Sequence, residues 1–241
     1  VGIAEQNMVS LAGGMSTIGL IPFVNSYGMF IAMRALDQVR NSVAYPNLNV
    51  KFVLSHHGLD SGQDGVTHQL TEDIAIFRTI PNIKLLQPAD AIEMKQMVRF
   101  AVKTQGPIII KSGKSKVPNL HKNNFIWKYG YPSLIANGEK VAIIAVGVMV
   151  SRAMKARNEI KQKFGFFPKV INLSSLTDVN SKSVLKIVGD VNFDGVLTAI
   201  DGNDNKLYKW NATPSSSKSI ELITKDFTLG SPSNKLKVFS I

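Results

Sequence analysis

The stretch LNVKFVLSHHGLDSGQDGVTHQ (48–69) changes character half-way. Its first part, LNVKFVLS (48–55), is a short apolar run and reads as a buried strand. Its second part, SHHGLDSGQDGVTHQ (55–69), is polar and rich in glycine. It holds three of the chain's four histidines, His56, His57 and His68, beside Asp60 and Asp64. A surface loop is one reading and the rim of an active site is the other. In open parallel sheets, ligands sit beyond the carboxyl ends of the strands. The flanking sequence therefore matters, because a parallel sheet would put this cluster at the functional edge.

Outward from that stretch, apolar and amphipathic segments alternate. Ala4, Met8, Leu11, Met15 and Ile18 predict a helix over 3–18, stopped by Gly19. IPFVNSY (21–27) reads as a strand, and Phe30, Met33, Leu36, Val39 and Val43 predict a helix over 30–44. Thr71 is a candidate cap for a helix to about residue 79, with Glu72 and Asp73 favourably placed in its first turn. NIKLLQPA (82–89) is a strand, Asp90 and Glu93 make a capping-box pattern for a helix to 104, and PIIIKSG (107–113) is a strand. The section 119–138 is irregular and polar and reads as a linker. Strands over 140–148, 168–176 and 195–200 then alternate with helices over 150–164 and 181–188. This pattern predicts an α/β protein of two domains, 1–118 and 139–241, with mainly parallel sheets flanked by helices.

Composition narrows the function classes. The 241 residues are enough for one large or two modest domains. No apolar run reaches the ~18 residues of a membrane span, and there is no basic start followed by an apolar core. Cysteine is absent, which excludes a disulfide framework and thiolate metal sites and favours a cytoplasmic setting. Lys and Arg number 28 against 17 Asp and Glu, a formal charge of +11. The lysines are scattered, mostly after residue 95, with no tight cluster interleaved with aromatics. Nucleic acid is not the expected partner; a basic surface that attracts phosphorylated metabolites, or simply solubilises the chain, fits better. Val1 in place of Met, with a helix almost at once, reads as a fragment, a processed chain or a non-standard start.

Each chemical motif has a plain alternative. Glu5, taken alone, reads by default as a solvated first-turn carboxylate stabilised by the helix dipole. Phe23, Tyr27 and Phe30 pack a core by default and line an aromatic pocket as the alternative. Asp64 and His68, four apart in DGVTH, suit a carboxylate that orients an imidazole. A metal site of His56, His57, Asp64 and His68 lacks the helical spacing of HxxxH or HExxH. GDVNFDGVLTAID (189–201) matches a calcium-loop pattern at Asp190, Asn192, Asp194, Gly195 and Asp201. The β-branched GVLTAI after an Asp-Gly turn gives the same letters as a strand.

Longer segments carry a family resemblance. VGIAEQNMVSLAGGM (1–15), IPFVNSYGMF (21–30), RNSVAYPN (40–47) and GQDGVTHQLTEDIA (62–75), with VPN (117–119) after a lysine-rich strand end, resemble transketolase. The similarity is to the C-terminal subunit of the split transketolases of archaea and some bacteria. It is strong over 1–118, continues through KVAIIAVGVMVSRAM (140–154), and ends at ITKDFTLGSPSNKL (223–236). The resemblance implies a pyrimidine-binding domain, a transketolase C-terminal domain, and thiamin diphosphate as cofactor for transfer of a two-carbon ketol unit between sugar phosphates. Glu5 matches the glutamate that hydrogen-bonds the aminopyrimidine ring, and Tyr27, Phe30 and Met33 match the ring pocket, Met33 standing where many relatives have an aromatic. His56 and Asp64 match substrate phosphate and hydroxyl positions, and His68 the histidine beside the reacting carbons. Lys114 stands where relatives often carry a phosphate-binding arginine. Lysine keeps the charge and loses the bidentate fork. His57 receives no role.

Three departures shape the expectation. The diphosphate-binding GDG motif and its distant Asn are absent, so Mg (or Ca) and the diphosphate are expected on a separate N-terminal subunit. The expected active unit is a dimer of such pairs. The first strand and helix of the usual pyrimidine domain are not in this sequence, and AIDGNDNKLYKW (199–210) departs from the family's acidic pair. The alternatives are a 1-deoxyxylulose-5-phosphate synthase-like enzyme, which shares GIAEQ, a 2-oxoacid dehydrogenase β subunit, or a truncated subunit kept for assembly or regulation.

Overall fold

Tyr27, Ser55 and Ser112 lie level with one another at the carboxyl ends of three adjacent parallel strands, and this register positions everything that follows. A computed structural model describes residues 1–189 and the short strands at 197–199, 208–209, 222–224 and 237–239. Contacts divide the chain into two units, Val1–Tyr131 with Ser174–Asn180, and Pro132–Leu173 with the segment from Ser181 on.

In the first unit, β1 (Phe23–Tyr27), β2 (Lys51–Ser55), β3 (Lys84–Leu86) and β4 (Ile108–Ser112) form a parallel sheet in the order β1-β2-β4-β3. Phe52, Leu54, Leu85, Leu86 and Ile108–Ile110 are fully buried, each contributing about 1.5–3 kcal/mol of hydrophobic stabilisation. Lys51 is also buried, and the structure shows how: its Nζ donates to the carbonyls of Thr104 (2.7 Å) and Gly106 (2.6 Å). Burial, helped by nearby Lys84, lowers its pKa to about 8.

The helices follow the periodicity with two departures. Helix α1 (Glu5–Thr17) ends before Gly19 as expected. Its Gly13 lies so close to the neighbouring segment that a Cβ would stand 2.9 Å from the Ser42 carbonyl. The expected helix over 30–44 instead holds two π-helical stretches, Phe30–Arg34 and Gln38–Ala44. Ala35 donates to Phe30 O and Tyr45 to Arg40 O, five residues back in each case. The apolar stripe survives, with Ile31, Val39, Val43 and Ala44 buried, and such widened turns frequently mark functional sites. Helix α2 (Asp73–Thr79) is not capped by Thr71: Glu72 is the cap residue, and the Glu72 carboxylate instead accepts from the Thr71 N–H. Helix α3 (Ala91–Lys103) is capped by Asp90 as expected, but Glu93 reaches one residue beyond the cap. Asp90 accepts from the Glu93 N–H (2.9 Å), and Glu93 accepts from the Ala89 N–H (2.7 Å).

The segment expected to link the domains is packed through much of its length. Asp90 accepts from the backbone of Leu120 and His121. Gln96 holds the backbone of Phe125 and Trp127 at 2.8 Å each, and Trp127 Nε1 donates to Ser174 Oγ (3.0 Å). Trp127 thereby joins the core of Leu86, Met97 and Ile110. Side chains here satisfy backbone groups that no ladder or helix pairs.

In the second unit, β5 (Ser133–Ala136), β6 (Ala142–Ala145), β7 (Lys169–Asn172) and β8 (Leu197–Ala199) are ordered β5-β7-β6-β8. β6 is parallel to β7 and β8, while β5, inside the expected linker, is antiparallel to β7. Helix α4 (Val148–Phe164) stops at Gly165, whose φ of +82° favours glycine. Helix α5 (Ser181–Gly189) packs Val184, Ile187 and Val188 on Ala142 and Ile171. Strands β9 (Tyr208–Lys209), β10 (Leu222–Thr224) and β11 (Lys237–Phe239) pair antiparallel in the order β11-β10-β9. The calcium-loop pattern of Asp190, Asn192, Asp194, Gly195 and Asp201 lies outside the described residues.

Candidate active site

The level ends of β1, β2 and β4 bring three sequence-distant segments to one edge of the first unit. Tyr27 closes β1 and Phe30 follows one turn later; their rings are parallel with centroids 5.8 Å apart. His56 leaves β2 with φ +59°, a left-handed conformation that few residues other than glycine adopt and that clusters at functional sites. Its ring stacks on Tyr27 at 3.9 Å. Gly58 and Leu70 exchange backbone hydrogen bonds (2.6 and 3.1 Å), closing the intervening loop at its base. His68 thereby returns edge-on to both Tyr27 (5.8 Å) and Phe30 (5.3 Å).

Charge is arranged around this aromatic group. Glu5, the first residue of α1, is only 6% exposed, so the solvated-carboxylate reading does not hold. Arg34 Nη1 donates to Glu5 Oε2 at 2.9 Å, and the Arg34 guanidinium also lies over the Phe30 ring at 4.7 Å. Among the described residues, Glu5 Oε1 takes no hydrogen bond. Lys114, just past β4, donates to Asp64 Oδ2 (2.9 Å) and to the Ser61 carbonyl (3.1 Å). Lys114 thereby holds the Asp64 carboxyl below the usual carboxylate range, with a smaller effect from His56 and His68. Asp64 does not orient His68. The His68 Nδ1 contacts Thr67 Oγ1 (2.9 Å), while the Asp64 carboxylate is 4.0 Å from His56 Nε2.

Of the residues picked from sequence, Tyr27, Phe30, His56 and His68 share ring contacts, and Asp64 and Lys114 pair beside His56. Glu5 joins them through Arg34, which sequence reasoning missed although it stands four residues after Phe30, one helical turn away. Met33 is 41% exposed and makes no ring or polar contact with this group.

Beneath the loop lies a buried polar layer that sequence also hid. His57 is buried with neither ring nitrogen partnered, and burial, then Lys111, pushes its pKa down to about 3. Lys111 Nζ meets Asp73 Oδ2 at 2.8 Å, both side chains almost wholly enclosed; burial lowers the Lys111 pKa, and Asp73 partly offsets this.

Residues 1–119 match the transketolase pyrimidine-binding domain and residues 130–193 the transketolase C-terminal domain. The chain belongs to the transketolase family. A protein of Methanocaldococcus jannaschii named as a transketolase C-terminal section is 35% identical over 187 residues, covering 77% of this chain and 59% of that one. A 1-deoxy-D-xylulose-5-phosphate synthase of Clostridium botulinum is 35% identical over 203 residues, covering 83% of this chain and 32% of that one. The solved structure of a split-gene transketolase, described as an inactive β4 tetramer, superimposes with a TM-score of 0.73 at 32% identity, covering 83% of this chain and 63% of that one. The chain thus spans less than two thirds of these transketolase relatives. Both expected transketolase domains are present, in an α/β fold with a parallel sheet flanked by helices.

Transketolase-family enzymes use thiamin diphosphate, and the residues here fit its ring end: a nearly buried glutamate with one free oxygen, tied through Arg34 to the Phe30 ring, which lies parallel to Tyr27. They do not supply a metal site. Among the described residues no group of three or more His, Cys, Asp or Glu is placed to hold a metal ion, the His56, His57, Asp64 and His68 set included. Nor is any described helix long and apolar enough to cross a membrane.

Proposed function

We propose that this chain is the C-terminal, pyrimidine-binding subunit of a thiamin-diphosphate-dependent transketolase that moves a two-carbon ketol unit between sugar phosphates and works with a separate N-terminal subunit. The observation that carries the reading is the nearly buried Glu5 at the start of α1, fixed through Oε2 by Arg34 next to Phe30. Thiamin diphosphate, when bound, supplies the carbanion chemistry. Through its free oxygen Glu5 would share a proton with a ring nitrogen of the aminopyrimidine, and Arg34 keeps the carboxylate from rotating away. Tyr27 and Phe30, with Met33 at the margin, bound the ring and exclude water, which strengthens the Glu5 contact. His68 touches both rings and is placed to reach a substrate beside them. His56 and Lys114 receive the sugar phosphate, and Asp64 a hydroxyl group.

The magnesium (or calcium) ion and the diphosphate belong, on this reading, to the N-terminal subunit, because the GDG motif and distant Asn that hold them in the family are absent from this sequence. The inactive β4 tetramer of the split-gene relative supports a need for a second subunit and a dimer of pairs as the active assembly. The identity to a 1-deoxy-D-xylulose-5-phosphate synthase favours a synthase-like reaction as the second reading. The test mixes the chain with a candidate N-terminal subunit, thiamin diphosphate and magnesium. Transfer from a ketose phosphate to an aldose phosphate is expected. Formation of 1-deoxy-D-xylulose 5-phosphate instead would move the assignment to the second reading, and neither activity with any candidate subunit would leave a non-catalytic role.

A further inference from the structure

Among the described residues of the histidine loop, Asp60 has the most side-chain hydrogen bonds. Its Oδ2 accepts from the backbone N–H groups of Lys114 (2.5 Å) and Ser115 (2.8 Å), and its Oδ1 from the Ser115 hydroxyl. Gly113 completes the fit: a Cβ there would stand 2.8 Å from Asp60 Oδ2. Successive N–H groups in such a bend form a concave cradle for an anion, and here the anion is the chain's own carboxylate. Partial burial disfavours the charged form, but the Ser115 and Lys114 hydrogen bonds outweigh it and hold the Asp60 carboxyl below its usual range.

The consequence concerns Lys114. Its ammonium reaches Ser61 O and Asp64 Oδ2 through a flexible four-carbon stem. The stem's direction is set by the backbone at 113–115, and Asp60 is what fixes that backbone to the loop carrying His56 and Asp64. We propose that Asp60 is a positioning residue for phosphate recognition: it clamps the Gly113–Ser115 bend to the histidine loop so that Lys114 is presented to the substrate's phosphate. This rests on the transketolase reading for the substrate and on the structure alone for the clamp. It also gives lysine at 114 a remedy for the missing bidentate fork, since a point charge binds well only where it is held.

The experiment uses the full chain in the reconstituted complex and two variants, Asp60→Ala and Gly113→Ala. The second leaves Asp60 in place and pushes its carboxylate out of the bend. Two quantities are read. The first is hydrogen exchange at the Lys114 and Ser115 amides, which needs no activity. The second is KM and kcat for a phosphorylated aldose against its unphosphorylated counterpart. Both variants are expected to speed exchange at these two amides about tenfold or more, and to raise KM for the phosphorylated aldose about tenfold relative to any fall in kcat, the loss of one charge-assisted hydrogen bond. The unphosphorylated aldose should show no comparable rise. Unchanged exchange at 114 and 115 overturns the clamp, and parallel rises in KM for both aldoses overturn its link to phosphate. If the unmodified complex transfers no ketol unit, the functional reading falls and the link to phosphate with it, while exchange still decides the clamp. If Asp60→Ala does not fold, Gly113→Ala gives the decision.

Discussion

Lys111 and Lys114 stand three residues apart at the end of β4, each paired with an aspartate, at 2.8 and 2.9 Å. Distance does not tell them apart; solvent does. Lys111 and Asp73 expose 4% and 5% of their side chains, Lys114 and Asp64 expose 41% and 31%. The inner pair belongs to the layer under the site with His57, and its geometry is forced by enclosure. The outer pair gains little stability from its contact, because water already solvates both charges, and it stays available to a ligand. One strand end thus supplies both the floor of the site and its cationic rim.

That contrast is best broken from the floor upward. Asp73→Ala strips the enclosed Lys111 of its counter-charge, and should cost about 3–5 kcal/mol of unfolding free energy in denaturant titration. The double replacement with Lys111→Met should recover most of it. A single replacement with no effect would mean that the inner pair is not part of the floor.

The second effect is one of pH. His57 has its folded pKa lowered from 6.5 to about 3. The unfolded chain therefore binds the proton more readily, so its contribution is complete above 6.5 and declines as pH falls towards 3. Unfolding titrations should show about 2 kcal/mol lost from this group between pH 7 and pH 5. In His57→Leu that slope should flatten. An equal slope in both proteins would place the titrating group elsewhere.

At the rim the expected effect is on binding. Lys114→Met should leave the unfolding transition in place and raise KM for phosphorylated substrates about tenfold, the value of a charge-assisted contact. Lys114→Arg should restore or improve it. A large loss of stability in Lys114→Met would make the two pairs alike and remove the comparison.

The sequence carried the parts of this arrangement that are local. LNVKFVLS and PIIIKSG read as buried strands because their apolar runs are short and bounded, and Asp90 with Glu93 read as a cap because both partners lie in one turn. His56, Asp64 and His68 were legible as a cluster because one loop holds them. Contacts across the fold were not legible. Arg34 meets Glu5 across 29 positions, and Asp60 meets Lys114 across 54; neither pairing has a periodic signature. The segment 119–131 looked like a linker because its order comes from Asp90, Gln96 and Ser174, not from its own backbone pattern. Thr71 was a plausible cap that lost to a helix starting two residues later.

The proposed chemistry needs the carboxylate of Glu5 to serve the cofactor ring. The most direct measurement compares the unmodified chain with Glu5→Gln, each assembled with the N-terminal subunit, thiamin diphosphate and magnesium, by initial rates of ketol transfer between sugar phosphates. Glu5→Gln should assemble normally and lose about a hundredfold or more in kcat, the usual contribution of general acid–base catalysis. Equal rates from two equally assembled complexes would contradict the assignment of this site.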